Sequence, residues 1–224
     1  MSVILTHGAN SLSRQVIPTI YSTDFSGLDF DTGLDKGFTW SFTRRKDLIS
    51  KGTYEILGKQ VNALKYAKGS NTPEIGFDTT QITQDVFTLE MEFYTPYNDV
   101  RSYSGGLEYV SVSPYINSYE SRRGIGVKNI NIQNPKLYNE FYYYEPGYFA
   151  SWYDRFDNTK IIKGGMSVDR TTSRVGVFLY DKRAMSGTSL NLSTILDIYF
   201  DTTSGDAYIT KFSITEGFKF DNLT

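Results

Sequence analysis

The chain has 224 residues, enough to bury one sizeable core, and its formal charge of −2 with a pI near 5.5 offers no global positive field to a nucleic-acid backbone. With no cysteine and one histidine, disulfides, thiolate nucleophiles, Cys-ligated zinc and multi-histidine metal sites are excluded. Tyrosine (18), phenylalanine (15) and glycine (19) outnumber methionine (4), a balance that favours sheet over helix.

Residues 1–20 read as an arm. Ser2 to Leu5 fit one short strand, and Val16, Ile17 and Ile20 surround Pro18 without periodicity. Such an arm docks on a neighbour or forms a disordered terminus. The start carries no basic region followed by a long apolar run, so no signal peptide is expected, and no stretch approaches a membrane span. Residues 24–35 read DFSGLDFDTGLD. Asp29, Asp31 and Asp35 alternate around Gly33 with the spacing of a small calcium loop, which makes Ca2+ the candidate cofactor. The closing Glu of a twelve-residue EF-hand is missing, and an acidic turn whose side chains bond nearby backbone fits the same residues.

Phe38, Trp40 and Phe42 alternate with Thr39, Ser41 and Thr43, a strand that ends in Arg44, Arg45 and Lys46. These three fit a phosphate grip or a solvated strand end. Tyr54 and Ile56 make a weak strand, and 59–68 is read as another, with Ala63, Leu64 and Tyr66 as its apolar positions. A gap with Gly69, Ser70, Asn71 and Pro73 follows. Phe87, Leu89, Met91 and Phe93 then share one parity, and Thr88, Glu90, Glu92 and Tyr94 the other. That period of two predicts a strand over 86–95 with one face in a core and one face wet, closed by Pro96.

Strands are expected again around Leu107, Tyr109 and Val112, and around Ile125, Val127 and Ile130. The segment 138–153, YNEFYYYEPGYFASWY, places nine aromatics around a Pro146-Gly147 turn. Two strands there present aromatics to both faces of a sheet. One set fills the core, and the other faces solvent, a ligand or a partner. Asp154 to Lys160 reads as a polar turn. Strands follow at Ile161–Val168, Arg174–Tyr180, Leu196–Phe200 and Ala207–Ile214, separated by a small polar loop at 181–191 and a turn at 201–206. Phe218 and Phe220 extend the last edge. A dozen or more short strands without a long helix predict an all-β, two-sheet antiparallel sandwich or barrel.

From Ala63 onward the order of elements resembles the laminin-G-like, concanavalin A-like jelly rolls. Ala63-Leu64-Lys65-Tyr66 and Phe87-Thr88-Leu89-Glu90-Met91-Glu92-Phe93 look like two of that family's strands. Arg174 to Asp181 and Asp206 to Ile214 look like its central and closing strands. The resemblance covers about 60–216 and implies a jelly-roll sandwich over 21–224 preceded by the 1–20 arm; whether 21–58 join the same sandwich is left open. It also implies rim loops that bind sugars or proteins, in some members through calcium. The Glu-x-Asp-x-x-Glu arrangement of this fold's glycoside hydrolases does not occur. Separately, the opening MSVILTHGANSLSR resembles the starts of bacteriophage virion proteins of the tail or head appendages.

His7, the lone histidine, sits in the arm, so a histidine-based triad has little to draw on. The expected function is therefore non-enzymatic: a structural or interaction protein of a phage particle, located in the virion and assembling as a homo-oligomer with other virion proteins through aromatic surfaces and the arm. The alternative is a carbohydrate-binding module that meets a host-surface glycan. Tyr142, Tyr144, Tyr148 and Trp152 would stack on sugar or partner, with Asp154, Asp157 and Asn158 as polar neighbours. A third reading uses Glu90 and Glu92 as the paired carboxylates of a glycoside hydrolase. Nucleic-acid binding is not expected, since Arg44–Lys46 and Arg122–Arg123 are short patches without net charge behind them.

Overall fold

The structure is a computed structural model that describes residues 17–67, 73–94, 106–113, 124–130, 138–145, 148–155, 160–180, 182–188, 195–201 and 206–223. Its strands, in chain order, are β1 (Thr19–Thr23), β2 (Leu34–Asp35), β3 (Phe38–Arg44), β4 (Ile49–Ile56), β5 (Lys59–Tyr66), β6 (Glu74–Asp78), β7 (Val86–Tyr94) and β8 (Gly106–Ser113). They continue as β9 (Gly124–Ile130), β10 (Tyr138–Glu145), β11 (Tyr148–Arg155), β12 (Ile162–Asp169), β13 (Arg174–Leu179), β14 (Lys182–Thr188), β15 (Ile195–Asp201) and β16 (Ala207–Glu216). The first sheet runs β14-β13-β12-β7-β16-β5-β4, with β1 also paired to β16, and the second runs β11-β10-β9-β8-β15-β6-β3-β2. Neighbours such as β7 and β16, or β8 and β15, are far apart in sequence and antiparallel, so the chain crosses repeatedly between two sheets as a jelly roll does. Strands β1 to β4 divide between both sheets, which puts residues 21–58 in the same sandwich.

β7 lies at the centre of the first sheet: Phe87, Leu89, Met91 and Phe93 are buried on the core face, and Glu90, Glu92 and Tyr94 are half-buried on the other. Each buried apolar side chain of this kind contributes about 1.5–3 kcal/mol over its exposed state. Thr88, expected on the wet face, is instead fully buried, because the C-terminal segment covers it. Between the sheets Trp40 and Phe77 meet Phe212 and Tyr21. The ring centroids stand 4.9 Å apart for Trp40–Phe77 and 5.0 Å for Trp40–Phe212. One polar chain crosses this core. Trp40 Nε1 donates to Tyr21 Oη (3.0 Å), and Tyr21 donates to Asp35 Oδ2 (2.7 Å). Burial, then the bond to Asp35, pushes the Tyr21 phenol well above its ordinary value. Asp35 Oδ1 is buried without a hydrogen-bond partner.

Four expectations are corrected, three of them in strand assignment. Glu74–Asp78 belongs to no gap but is a strand, held by β15 on one side and β3 on the other. Lys182–Thr188 is not a loop but the edge strand β14, paired with β13. Asp154 lies within β11, in register with Asn139, rather than in a turn. The expectations for Ser2–Leu5, His7, Arg122, Arg123, Asp157 and Asn158 lie outside the described residues.

Phe218 and Phe220 do not extend an edge either. After β16 the chain turns at Gly217 and runs back across the outer face of the first sheet through a short 3-10 turn, Lys219–Asn222. Gly165 and Gly176 leave a trough there: a Cβ on Gly165 would meet the Phe178 ring, and one on Gly176 the Phe220 ring. Phe178, Phe220 and Leu223 form a second small cluster in that trough. Two buried hydroxyls hold the segment down. Thr88 Oγ1 donates to Gly217 O (2.7 Å) and accepts from Lys219 N (3.1 Å), while Ser167 Oγ accepts from Phe220 N (3.0 Å). Thr88 has one proton, so Ser167 is the donor in the 2.8 Å contact between the hydroxyls. A bidentate Arg174–Asp221 pair (2.8 and 2.7 Å) closes the clasp.

Candidate functional site

The clasp covers one part of the first sheet's outer face, and another part is left open among the described residues. Across the open part, cross-strand register lines up Ser50 on β4, Lys65 on β5, Tyr208 on β16 and Tyr94 on β7. Directly paired residues share a face, so these four form one row. Tyr54 joins it by folding back over Gly52, where its hydroxyl lies 3.0 Å from Ser50 Oγ. The Tyr208 ring is 5.3 Å from Tyr54 and 6.4 Å from Tyr94, centroid to centroid. All three tyrosines are half-buried, which leaves part of each ring to solvent.

The row's electrostatics are balanced. Lys65 pairs with Asp206 at 2.7 Å, which raises the lysine pKa, and its ammonium lies 6.0 Å from the Tyr54 ring centroid. Burial raises the Tyr208 phenol while Lys65 opposes it, so the hydroxyl stays protonated and remains a donor at neutral pH. One row along the same face of β7, Glu92 pairs with Lys163 at 2.9 Å, and next to it Glu90 pairs with Lys219 at 2.5 Å. The carboxylates considered for hydrolysis thus alternate with buried residues on a wet face, and each is matched by a lysine. Part of the tyrosines' role is to support the sheet, since aromatic cross-strand pairs contribute about 0.2–1 kcal/mol each. What remains exposed is a set of aromatic faces flanked by hydroxyl, ammonium and carboxylate groups. Aromatic faces with such neighbours have the chemistry to stack on and hydrogen-bond to a polyhydroxylated ligand.

The sequence-derived aromatic candidates lie in the second sheet, on the β10–β11 hairpin at its edge. Tyr142 is in register with Ser151 and Tyr144 with Phe149, whereas Tyr148 is in register with Glu145 and Trp152 with Phe141. Tyr142 and Tyr144 therefore occupy one parity of the hairpin, and Tyr148, Trp152 and Asp154 the other. The acidic trio is not brought together. Asp29 Oδ1 accepts from the Asp31 and Thr32 amides (2.7 and 3.2 Å), the Asp31 side chain is fully exposed, and Asp35 is buried against Tyr21. Among the described residues no three His, Cys, Asp or Glu side chains stand where they could hold a metal ion. At the end of β3, Arg45 forms a bidentate pair with Asp47 (2.8 and 2.7 Å), and Lys46 donates to Phe30 O. No helix among the described residues is long and apolar enough to cross a membrane.

No protein-family model matches the chain, and no curated protein matches it in sequence. In structure it is similar to a protein of unknown function from Shewanella oneidensis MR-1, with a TM-score of 0.54 at 12% identity over 89% of this chain and 86% of that one. It is similar to the xyloglucan PUL GH43B of Bacteroides ovatus, with a TM-score of 0.57 at 7% identity over 86% of this chain and 38% of that one. It is also similar to a point mutant of the Emp46p carbohydrate recognition domain, with a TM-score of 0.51 at 11% identity over 88% and 99% of the two chains. The likeness is one of fold: an all-β, antiparallel, concanavalin A-like jelly-roll sandwich.

Proposed function

We propose that this chain is a non-enzymatic carbohydrate-binding module that meets its glycan on the open outer face of the first sheet. The observation that carries this reading is the row of half-exposed tyrosines, Tyr54, Tyr208 and Tyr94, flanked by the Lys65–Asp206 pair. Tyrosine rings lie flat against the apolar faces of sugar rings at small entropic cost, while hydroxyl and ammonium groups take the sugar's polar edge. The carbohydrate-recognition domain among the structural neighbours supports the reading at the level of fold. Matching Glu90 and Glu92 with lysines supports a binding rather than a hydrolytic role for this face.

The test is binding of the full chain to an immobilised glycan array, with Tyr208→Ala beside the parent. Tyr208 touches both other tyrosines, so its truncation is expected to weaken binding about tenfold. Retained binding by the variant refutes the platform.

The setting proposed for this module is a virion, on the resemblance of residues 1–14 to the starts of phage virion proteins. A second reading, assembly with other virion proteins as a homo-oligomer, is favoured by one observation: the edge hairpin β10–β11 carries aromatics at both parities. Light scattering on the full chain and on a form lacking residues 1–20 tests it. A monomer in both forms overturns self-association.

A further inference from the structure

A cleft of about 440 Å3 opens where two strands share one side of β16. β16 takes β5 as its partner at Ala207–Ile209 and β1 at Phe212–Thr215, and the irregularity between Ile209 and Lys211 marks the change. Between the parting strands the outer face is notched. The notch adjoins the tyrosine row, because Glu92 in its wall is two residues from Tyr94 on the same face of β7.

Its walls are polar and built. Asp24 Oδ2 accepts from Asn62 Nδ2 (3.0 Å), and Asp24 Oδ1 accepts from Ser26 Oγ (2.7 Å) and Ser26 N (3.1 Å). Asn62 is fixed in turn by Thr53, whose hydroxyl donates to Asn62 Oδ1 at 2.9 Å. Three donors thus hold the carboxylate, which has about four lone-pair positions, so roughly one acceptor position remains. The Asn62 and Ser26 bonds keep the carboxyl at about 2, well below the usual range, so it is ionised at every working pH. The other walls supply donors: Lys36, which gives one proton to Ser22 O at 2.7 Å, and Lys211, whose exposed side chain makes no ion pair or hydrogen bond among the described residues. Glu92, already paired with Lys163, completes the charged lining.

Two carboxylates therefore face two ammonium groups, and the lining has no net charge. An anionic ligand is drawn to Lys36 and Lys211 but repelled by Asp24 and Glu92, and a cationic one meets the reverse. A neutral ligand whose hydroxyls both donate and accept satisfies the two kinds of wall at once. The volume is within the range of small-ligand sites.

We propose that this cleft is the polar subsite of the tyrosine face and selects a neutral saccharide, whose ring hydroxyls donate to Asp24 and accept from Lys211 and Lys36. The proposal rests on the carbohydrate reading above and adds a ligand class and a specificity-determining residue. Asp24 acts as a hydroxyl acceptor and Lys211 as a donor, beside the stacking surface.

The experiment is calorimetric titration of the full chain with neutral gluco-, manno- and xylo-oligosaccharides and with uronate oligomers of the same lengths. At least one neutral series binds, and the uronates bind at least about tenfold more weakly. Asp24→Asn keeps the shape but loses a charge-assisted bond, and is expected to weaken the neutral ligand about tenfold. Lys211→Gln alters an exposed side chain outside the internal contacts and is expected to weaken it severalfold, so it decides the matter if Asp24→Asn disturbs the fold. Parental affinity in both variants, with binding lost in Tyr208→Ala, overturns the cleft and leaves the stacking face standing. Tighter binding of uronates also overturns it. If no saccharide binds the parent chain, the carbohydrate reading and this subsite fall together.

Discussion

Replacing Gly176 with alanine tests whether the C-terminal clasp is seated as described. The new Cβ would stand 2.4 Å from Phe220 Cγ and 2.8 Å from Phe220 Cβ. The second atom is bonded to the backbone and cannot swing aside, so the turn itself must lift. Overpacking of this kind costs about 1–3 kcal/mol. Phe220→Ala removes a ring that is 5% exposed and leaves Phe178 uncovered, at about 3–5 kcal/mol. The double variant separates this geometry from general disturbance. With the ring gone, the 2.4 Å conflict disappears while the 2.8 Å contact remains. The double variant should therefore cost less than the two singles together by about 1 kcal/mol or more. Equilibrium urea unfolding of the four proteins measures the cycle from midpoints at a common slope. Additivity within about 0.5 kcal/mol would show that Gly176 and Phe220 do not meet.

Tyr21→Phe breaks the chain from Trp40 to Asp35 and leaves both Asp35 carboxylate oxygens without a partner in the core; a loss of about 1–3 kcal/mol in urea unfolding is expected. On the acid side, Asp24 is held at about 2 by Asn62 and Ser26, and Asp169 at about 2 by Thr171 and Thr172. These folded values lie below the unfolded carboxyl value of about 3.9, so the stabilisation is complete above that pH and is lost as pH falls through 2. The urea midpoint should hold from neutral pH to 5 and drop below 4, less steeply in Asp169→Asn; a parental slope in that variant would refute the assignment. On the alkaline side, Tyr21 and Tyr66 are raised above 10, chiefly by burial. Unfolded chains shed those phenolic protons first, so stability falls as pH rises past about 10. Phenolate absorbance should then show a fraction of the tyrosines that ionises only on unfolding.

The sandwich was legible where a face alternates and its apolar members are large. β7 and β16 meet that condition, and the resemblance of 60–216 to concanavalin A-like jelly rolls followed from the same positions. Legibility failed where the backbone ladder, not the side chains, makes the strand. KRAMSGT at 182–188 has no apolar period, yet its register with β13 makes it an edge strand. EIGFD at 74–78 offers only Ile75 and Phe77, too few for a period to show, although both are fully buried. FKF at 218–220 alternates as a strand would, but Gly165 and Gly176, forty and more residues earlier, provide the trough that takes it instead. The tyrosine row was illegible for a related reason. Tyr54, Tyr94 and Tyr208 belong to β4, β7 and β16, and only the register puts them side by side. The local density of tyrosine at 138–153 points to the hairpin instead, because composition is local and register is not.

The first sheet's outer face thus has two parts with opposite demands, and the boundary between them can be tested. On the covered part, Thr88 and Ser167 are buried at 0% exposure and spend their hydroxyls on the clasp backbone. On the open part the tyrosines keep their rings half in water. Lys219–Glu90, at 2.5 Å with both side chains slightly more than a quarter exposed, stands at the border. Lys219→Met removes that ion pair, and solvent screening of so exposed a pair keeps the loss within about 1 kcal/mol. Since Lys219 belongs to the clasp, the variant should bind a glycan as the parent does while unfolding at slightly lower urea. A matching fall in affinity would mean that the clasp helps to shape the binding face, and that the two parts of the sheet are one cooperative surface.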